Sequence, residues 1–143
     1  MILKITRLSP SVPVPAYATS GAAAFDLAAS ADLVVPPHAI ALVPTGLVVE
    51  VPAGHFLAIL ARSSTPLKRG LMVANGIGVI DADYCGPADE VKIQVINVTD
   101  QAVHVVAGDR LAQGMVLAAP RVTFEEIASS DRASRGGFGS TGR

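Results

Sequence analysis

The feature that most constrains this 143-residue chain is its punctuation. In "LVVPPHAIALVPTGLVVEVPAGHFLAILARSS", from Leu33 to Ser64, short apolar runs are cut by Pro36-Pro37, Pro44-Thr45-Gly46 and Pro52-Ala53-Gly54. Proline lacks an N–H and fixes φ, and glycine opens conformations closed to other residues, so a long helix cannot run through this stretch. Apolar runs between turn signals at short, regular spacing predict antiparallel strands in a sandwich or barrel. Further on, Val91, Ile93 and Val95 alternate with Lys92 and Gln94, the period of a half-buried strand. Thr99-Asp100-Gln101 turns the chain into an apolar Val103–Val106, and Gly108-Asp109 turns it again. The alanine-rich "GAAAFDLAASADL" has helical propensity, but its neighbours predict strands, and strand or loop is expected there too. With no internal repeat, linker or change of composition, residues 1–143 form one all-β domain, with a tail from about residue 130.

Charge narrows the partners. The net charge is −1 and no basic run occurs, which argues against a duplex-binding protein and leaves nucleic acid out of the expected partners. Only 16% of residues are charged, against about a quarter in typical domains, so part of the surface is expected to be covered by another subunit. No apolar run approaches membrane-spanning length, and Met1–Gly21 lacks the continuous apolar stretch of a secretory signal. The single cysteine, Cys85, cannot form an internal disulfide. A cytoplasmic protein with no membrane partner is the expectation.

Several stretches could carry chemistry. In "LARSSTPLKRGL", Arg62 supplies a planar fork of donors and Ser63 and Ser64 supply hydroxyls, the makings of an anion cradle or of an ordinary serine-capped turn. In "ANGIGVIDADYCG", Asp81 and Asp83 follow an apolar strand and precede Tyr84. An aspartate at a strand end can orient and deprotonate a water, and a tyrosine ring can floor a sugar or base; an acidic turn is the plain alternative. In "GDRLAQG", Arg110 can pair with a carboxylate and Gln113 can offer an amide N–H to a phosphate oxygen. Asp26, between apolar neighbours in "AAFDLAAS", is either a partly buried turn residue or a group near a bound divalent metal. His38, His55 and His104 are scattered, so a structural zinc site is not expected. The ending "SRGGFGSTGR", Ser134–Arg143, sets one aromatic among glycines and hydroxyls, a composition no packed core can use.

Taken in order, "AAFDL", "ARSS", "NGIGVIDADY", "GDRLAQ" and "GGFGSTG" resemble the motifs of the trimeric dUTPase family, deoxyuridine triphosphate nucleotidohydrolases, over residues 18–142. The resemblance implies a distorted jelly roll that assembles as a homotrimer with active sites at subunit interfaces. It implies hydrolysis of dUTP to dUMP and pyrophosphate, with Mg2+ on the triphosphate. Asp81 corresponds to the general base that orients water for in-line attack on the α-phosphorus. Arg62, Ser63, Ser64 and Gln113 correspond to phosphate-holding residues, and Asp26 to the aspartate that positions the metal's water shell. Tyr84 corresponds to the tyrosine that packs on the deoxyribose. The resemblance makes Asn75 to Tyr84 a hairpin that reads uracil, largely through backbone groups such as those of Gly78 and Ile80, with Asn75 contacting the base. Phe138 would cover the uracil ring, and Gly139, Ser140 and Thr141 would hold the γ-phosphate.

Two stretches depart from that pattern. Ala133 stands where the family's tail carries an arginine, with Arg132 and Arg135 on either side; Arg135, directly before glycine, is preferred. After "DYCG" the chain inserts "PAD", and Cys85 stands where arginine or glutamine is frequent. Two rivals remain from sequence: a dCTP deaminase, possibly bifunctional, using Glu50 as a core-strand glutamate, and a non-catalytic trimeric binding protein.

Overall fold

The computed structural model describes residues 1–137. Ten strands and one short helix follow in order: β1 Lys4–Arg7, β2 Phe25–Ala28, β3 Leu33–Val35, β4 Ile40–Glu50, β5 His55–Ala61, α1 Ser64–Arg69, β6 Leu71–Val73, β7 Gly78–Ile80, β8 Val91–Asn97, β9 Val103–Val105 and β10 Arg110–Ala118. They pair antiparallel as β1-β4-β8-β6, β2-β10-β5-β7 and a two-stranded β3-β9. The result is a distorted jelly roll. The expected alternation in β8 is present, with Val91, Ile93 and Val95 buried and Lys92 exposed. Between the sheets they join Leu27, Val43, Leu57, Ile59, Leu71 and Leu111 in one core. Gly114 lets β10 lie close to β2, because a Cβ there would meet the Phe25 ring at 2.5 Å.

Contrary to expectation, Pro44-Thr45-Gly46 is not a turn between strands. It is a bulge inside the eleven-residue β4, where pairing with β8 jumps from Pro44 to Leu47. Gly46 takes φ 67°, and a Cβ there would collide with Val12 Cγ2. The bulge is stitched rather than loose: buried Thr45 donates its hydroxyl to the Val91 carbonyl at 2.5 Å, and Gly46 N–H donates to Glu90 Oε1 at 2.8 Å. Backbone groups freed by the irregularity thus keep partners, as a buried ladder requires.

Asn97 closes the opposite end of β8. It is fully buried, and its amide nitrogen donates to the carbonyls of Val35 (3.0 Å), Pro36 (3.1 Å) and Gln101 (2.7 Å). Its oxygen accepts from the Thr99 N–H and hydroxyl. One side chain therefore binds β3, β8 and the turn into β9. Asn97→Ala leaves the buried Val35 carbonyl and several part-buried groups without this partner, and denaturant unfolding should show a loss of about 1–3 kcal/mol. A loss under about 0.5 kcal/mol would show that the turn holds without it.

Candidate functional site

β10 pairs on both edges, with Gln113 opposite Asp26 of β2 and Leu60 of β5. That register gathers the conspicuous polar residues of three separate stretches at one end of the sheet. Arg62 Nε lies 2.8 Å from Asp26 Oδ1, and Arg110 Nη1 lies 2.9 Å from Asp26 Oδ2. The carboxylate is mostly buried, at 17% side-chain exposure, whereas Arg110 is 57% exposed. One carboxylate thus aims two guanidinium groups, and the remaining N–H groups of Arg110 face outward, where an anion can reach them. The pairing of Arg110 with a carboxylate matches expectation. That the same carboxylate also holds Arg62 was not legible, since the two lie far apart in sequence and meet only through β10.

The Arg62–Ser64 turn is anchored from below. Thr65, buried, donates its hydroxyl to the Leu111 carbonyl at 2.7 Å, and its N–H to the Arg62 carbonyl at 3.0 Å. Ser63 precedes α1 in helical geometry without a side-chain capping bond, so the serine-capped-turn alternative is not what forms. Ser63 is exposed and Ser64 half-buried. Gln113 is half-buried and donates to the Ala61 carbonyl at 3.1 Å, which leaves its amide a second hydrogen. At the far end of α1, Arg69 Nη2 lies 2.6 Å from Asp109 Oδ2, which also accepts the Val106 N–H. Asp109, directly before Arg110, therefore ties α1 to the start of β10.

Asp81 lies elsewhere. β7 pairs with β5 through Ile80 opposite Leu57, so Asp81 falls beside the first residues of β5. Arg62 follows the last residue of the same seven-residue strand. At about 3.3 Å per residue, the two are roughly 15–20 Å apart within one chain. A carboxylate poised over an α-phosphorus and a cradle for the other phosphates must lie within two P–O–P links of each other. The single chain does not bring them together. Asp81 and Asp83 are exposed and border an open cavity of about 540 Å³ with His55, Phe56 and Arg121. Sequence reasoning did not single out Arg121 or Phe56, which carry no motif and reach this place through pairing alone.

The segment from Asn75 to Tyr84 is not a self-paired hairpin. β6 belongs to the β4-β8 sheet, whereas β7 crosses to the other sheet and pairs with β5 at its edge. Asn75 is exposed, and Gly78 packs so close that a Cβ would meet Ile59 Cβ at 3.0 Å. β7 has a sheet partner on one side, β5, and its other edge offers the backbone N–H and C=O groups that a base can read. Asp81 to Tyr84 then forms a turn closed by the Tyr84 N–H on the Asp81 carbonyl at 3.2 Å. Arg135 is exposed; Phe138, Gly139, Ser140 and Thr141 lie outside the described residues. Glu50 is no core glutamate: it ends β4 at the surface, 2.8 Å from Lys4 Nζ with 54% of its side chain exposed.

Among the described residues, no group of three or more histidine, cysteine or acidic side chains could cage a metal. Asp26, whose two carboxylate oxygens lie against Arg62 and Arg110, is the carboxylate of this cluster that could also accept from a water on a hydrated cation.

The hydrogen bond from Arg69, more than any other influence, holds the Asp109 carboxyl below its ordinary value of 3.8. Because the folded value is the lower one, this contribution to stability is complete above the unfolded pKa and disappears as pH falls through the folded one. Asp109→Asn should therefore be less stable than the parent near neutral pH, and the gap should shrink below about pH 3.8. Thermal unfolding followed across that range checks it; a pH-independent gap would contradict the linkage.

The chain is similar to known proteins over almost its whole length. A dUTPase family model matches residues 11–142. The deoxyuridine 5'-triphosphate nucleotidohydrolase of Wolinella succinogenes is 41% identical, over 100% of this chain and 95% of that protein. That of Caulobacter vibrioides is 42% identical, over 92% of this chain and 86% of that protein. Among solved structures, the dUTPase of Streptococcus mutans superposes with a TM-score of 0.78 at 32% identity, covering 85% of this chain and 98% of that one. The Staphylococcus bacteriophage 80alpha dUTPase with dUpNHpp shares the fold, with a TM-score of 0.87 at 21% identity over 99% of both chains. A match running from residue 11 to residue 142, with all the gathered polar residues inside it, places this chain in the dUTPase family.

Proposed function

We propose that the protein hydrolyses dUTP to dUMP and pyrophosphate. The water oxygen bonds to the α-phosphorus, and the bridging oxygen to the β-phosphorus leaves with pyrophosphate. Asp81 takes the proton of the attacking water, a role suited to an exposed carboxylate at a strand end. Arg62, Ser63, Ser64 and Gln113 hold the phosphates, with Arg62 aimed by Asp26. Mg2+, held through a water by Asp26, would supply neutralisation of the charge that develops on the phosphates. The edge of β7, with Gly78 and Ile80, and exposed Asn75 contact the base, and Tyr84 floors the sugar.

The observation that carries this assignment is the Asp26–Arg62–Arg110 cluster beside Gln113, which gathers donors that a polyphosphate can use. Its distance from Asp81 along β5 supports a further step: each site is shared between copies of the chain, which we assign as a homotrimer. No helix among the described residues is long and apolar enough to cross a membrane, and a cytoplasmic location suits a nucleotide enzyme with one cysteine. Surface-exposed Glu50, paired with Lys4, weighs against the dCTP deaminase alternative.

Incubation with Mg2+ and, separately, dUTP, dCTP, dTTP and UTP should give dUMP and pyrophosphate from dUTP and little from the others. Conversion of dCTP would move the assignment to the deaminase. Asp81→Asn should keep nucleotide affinity while kcat falls about 100- to 10,000-fold, the range of general-base catalysis. Truncation after Ser134, which removes Arg135 and Phe138 with the glycines, should collapse turnover if these residues cover the base and γ-phosphate; unchanged turnover would remove them from the site.

A further inference from the structure

The inserted Pro87-Ala88-Asp89 lies directly after the stretch assigned to the base and sugar, and it is an ordered turn rather than a loose loop. Asp89 Oδ2 accepts the Gly86 N–H at 2.7 Å, while the Asp89 N–H donates back to the Gly86 carbonyl at 3.0 Å. Glu90 follows with its N–H on the Ala88 carbonyl at 2.9 Å. Its carboxylate is mostly buried and accepts the Gly46 N–H at 2.8 Å, so it is fastened to the bulge of β4. The carbonyl of this immobilised residue accepts the Tyr84 hydroxyl at 3.3 Å. Tyr84 is 41% exposed and is held at its backbone end by the Asp81 turn. Without the Glu90 carbonyl, its ring would be tethered at one end only. A half-exposed tyrosine otherwise samples several rotamers.

We propose that Asp89 and Glu90 are positioning residues that hold the Tyr84 ring at both ends and so set discrimination between deoxyribose and ribose. This rests on the assignment of Tyr84 to the sugar. A ring fixed in place leaves no room for a 2′-hydroxyl; a ring free to swing gives way to it. Discrimination by exclusion depends on rigidity in this manner, because an obstacle that moves costs the wrong substrate little. The carboxylate of Asp89 shapes the turn, Glu90 clamps the turn to the opposite sheet, and the Tyr84 hydroxyl reads the result.

The test compares kcat/KM for dUTP and UTP in the full-length parent, Tyr84→Phe, Asp89→Ala, Asp89→Asn and the Tyr84→Phe/Asp89→Ala double variant. Tyr84→Phe keeps the ring and removes only its far tether. It should lower the dUTP-to-UTP ratio about two- to ten-fold, the range one neutral hydrogen bond supplies. Asp89→Ala should lower the ratio similarly, chiefly through better use of UTP, with kcat for dUTP within about two-fold of the parent. Asp89→Asn, whose amide oxygen still accepts the Gly86 N–H, should restore the ratio. The double variant should be no worse than either single one, because both act through the same bond. Equal losses with both nucleotides, or additive effects in the double variant, would overturn the proposal while leaving the dUTPase assignment intact. Absence of dUTP turnover in the parent would overturn both.

Discussion

The double pairing of β10 is the constraint on which the Asp26–Arg62–Arg110 cluster depends. β10 lies between β2 and β5, and its pairing with β2 shifts between Arg110 and Ala112, so Arg110 and Gln113 take their places on either side of that irregularity. A slip of one residue would send Gln113 to the opposite face and take Arg110 away from Asp26. The register is defended from both sides. Gly114 faces the Phe25 ring, where no other residue fits, and Leu111 and Ala112 are buried in the core. Thr65 then uses the Leu111 carbonyl to seat α1, and Asp109 uses Arg69 to hold its other end. Core packing and site geometry are here a single problem with one solution.

The same sheet keeps Arg62 and Asp81 apart within one chain. β5 is a spacer as well as a strand: one end carries the Arg62 turn and the other adjoins Asp81 through β7. A rigid sheet cannot bend these ends together. With the roles proposed for Arg62 and Asp81, the two groups would meet only where another copy supplied the second one. Few charges and many exposed apolar side chains, among them Val79, Val122 and Phe124, are compatible with such association.

Much of this was legible in the sequence, and the remainder failed for identifiable reasons. The alternation of Val91, Ile93 and Val95 and the punctuation between Val35 and His55 announced an all-β chain, because strand period and turn chemistry are local. Pro44-Thr45-Gly46 misled, since a turn and a stitched bulge use the same residues and differ only in distant partners, in this chain Val91 and Glu90. Helix α1 went unseen, being six residues long, carrying Pro66 and held by tertiary anchors. Motif resemblance named Asp26, Arg62, Asp81 and Gln113 but gave no hint that Arg62 and Asp81 stand at opposite ends of one strand. Long-range register decides that, and no residue spacing encodes it.

Complementation between two inactive chains tests the shared site most directly. Arg62→Ala and Asp81→Asn chains, differently tagged, are assayed alone and after being unfolded and refolded together, with mixed assemblies confirmed by tandem capture. If base and cradle come from different copies, some mixed sites hold an intact Asp81 and an intact Arg62, and dUTP turnover should return to about a quarter of the parent level, the statistical share in a ring of equal subunits. Mixed assemblies as inactive as the separate variants would mean that each chain supplies both groups to its own site, and a site shared between copies would be ruled out.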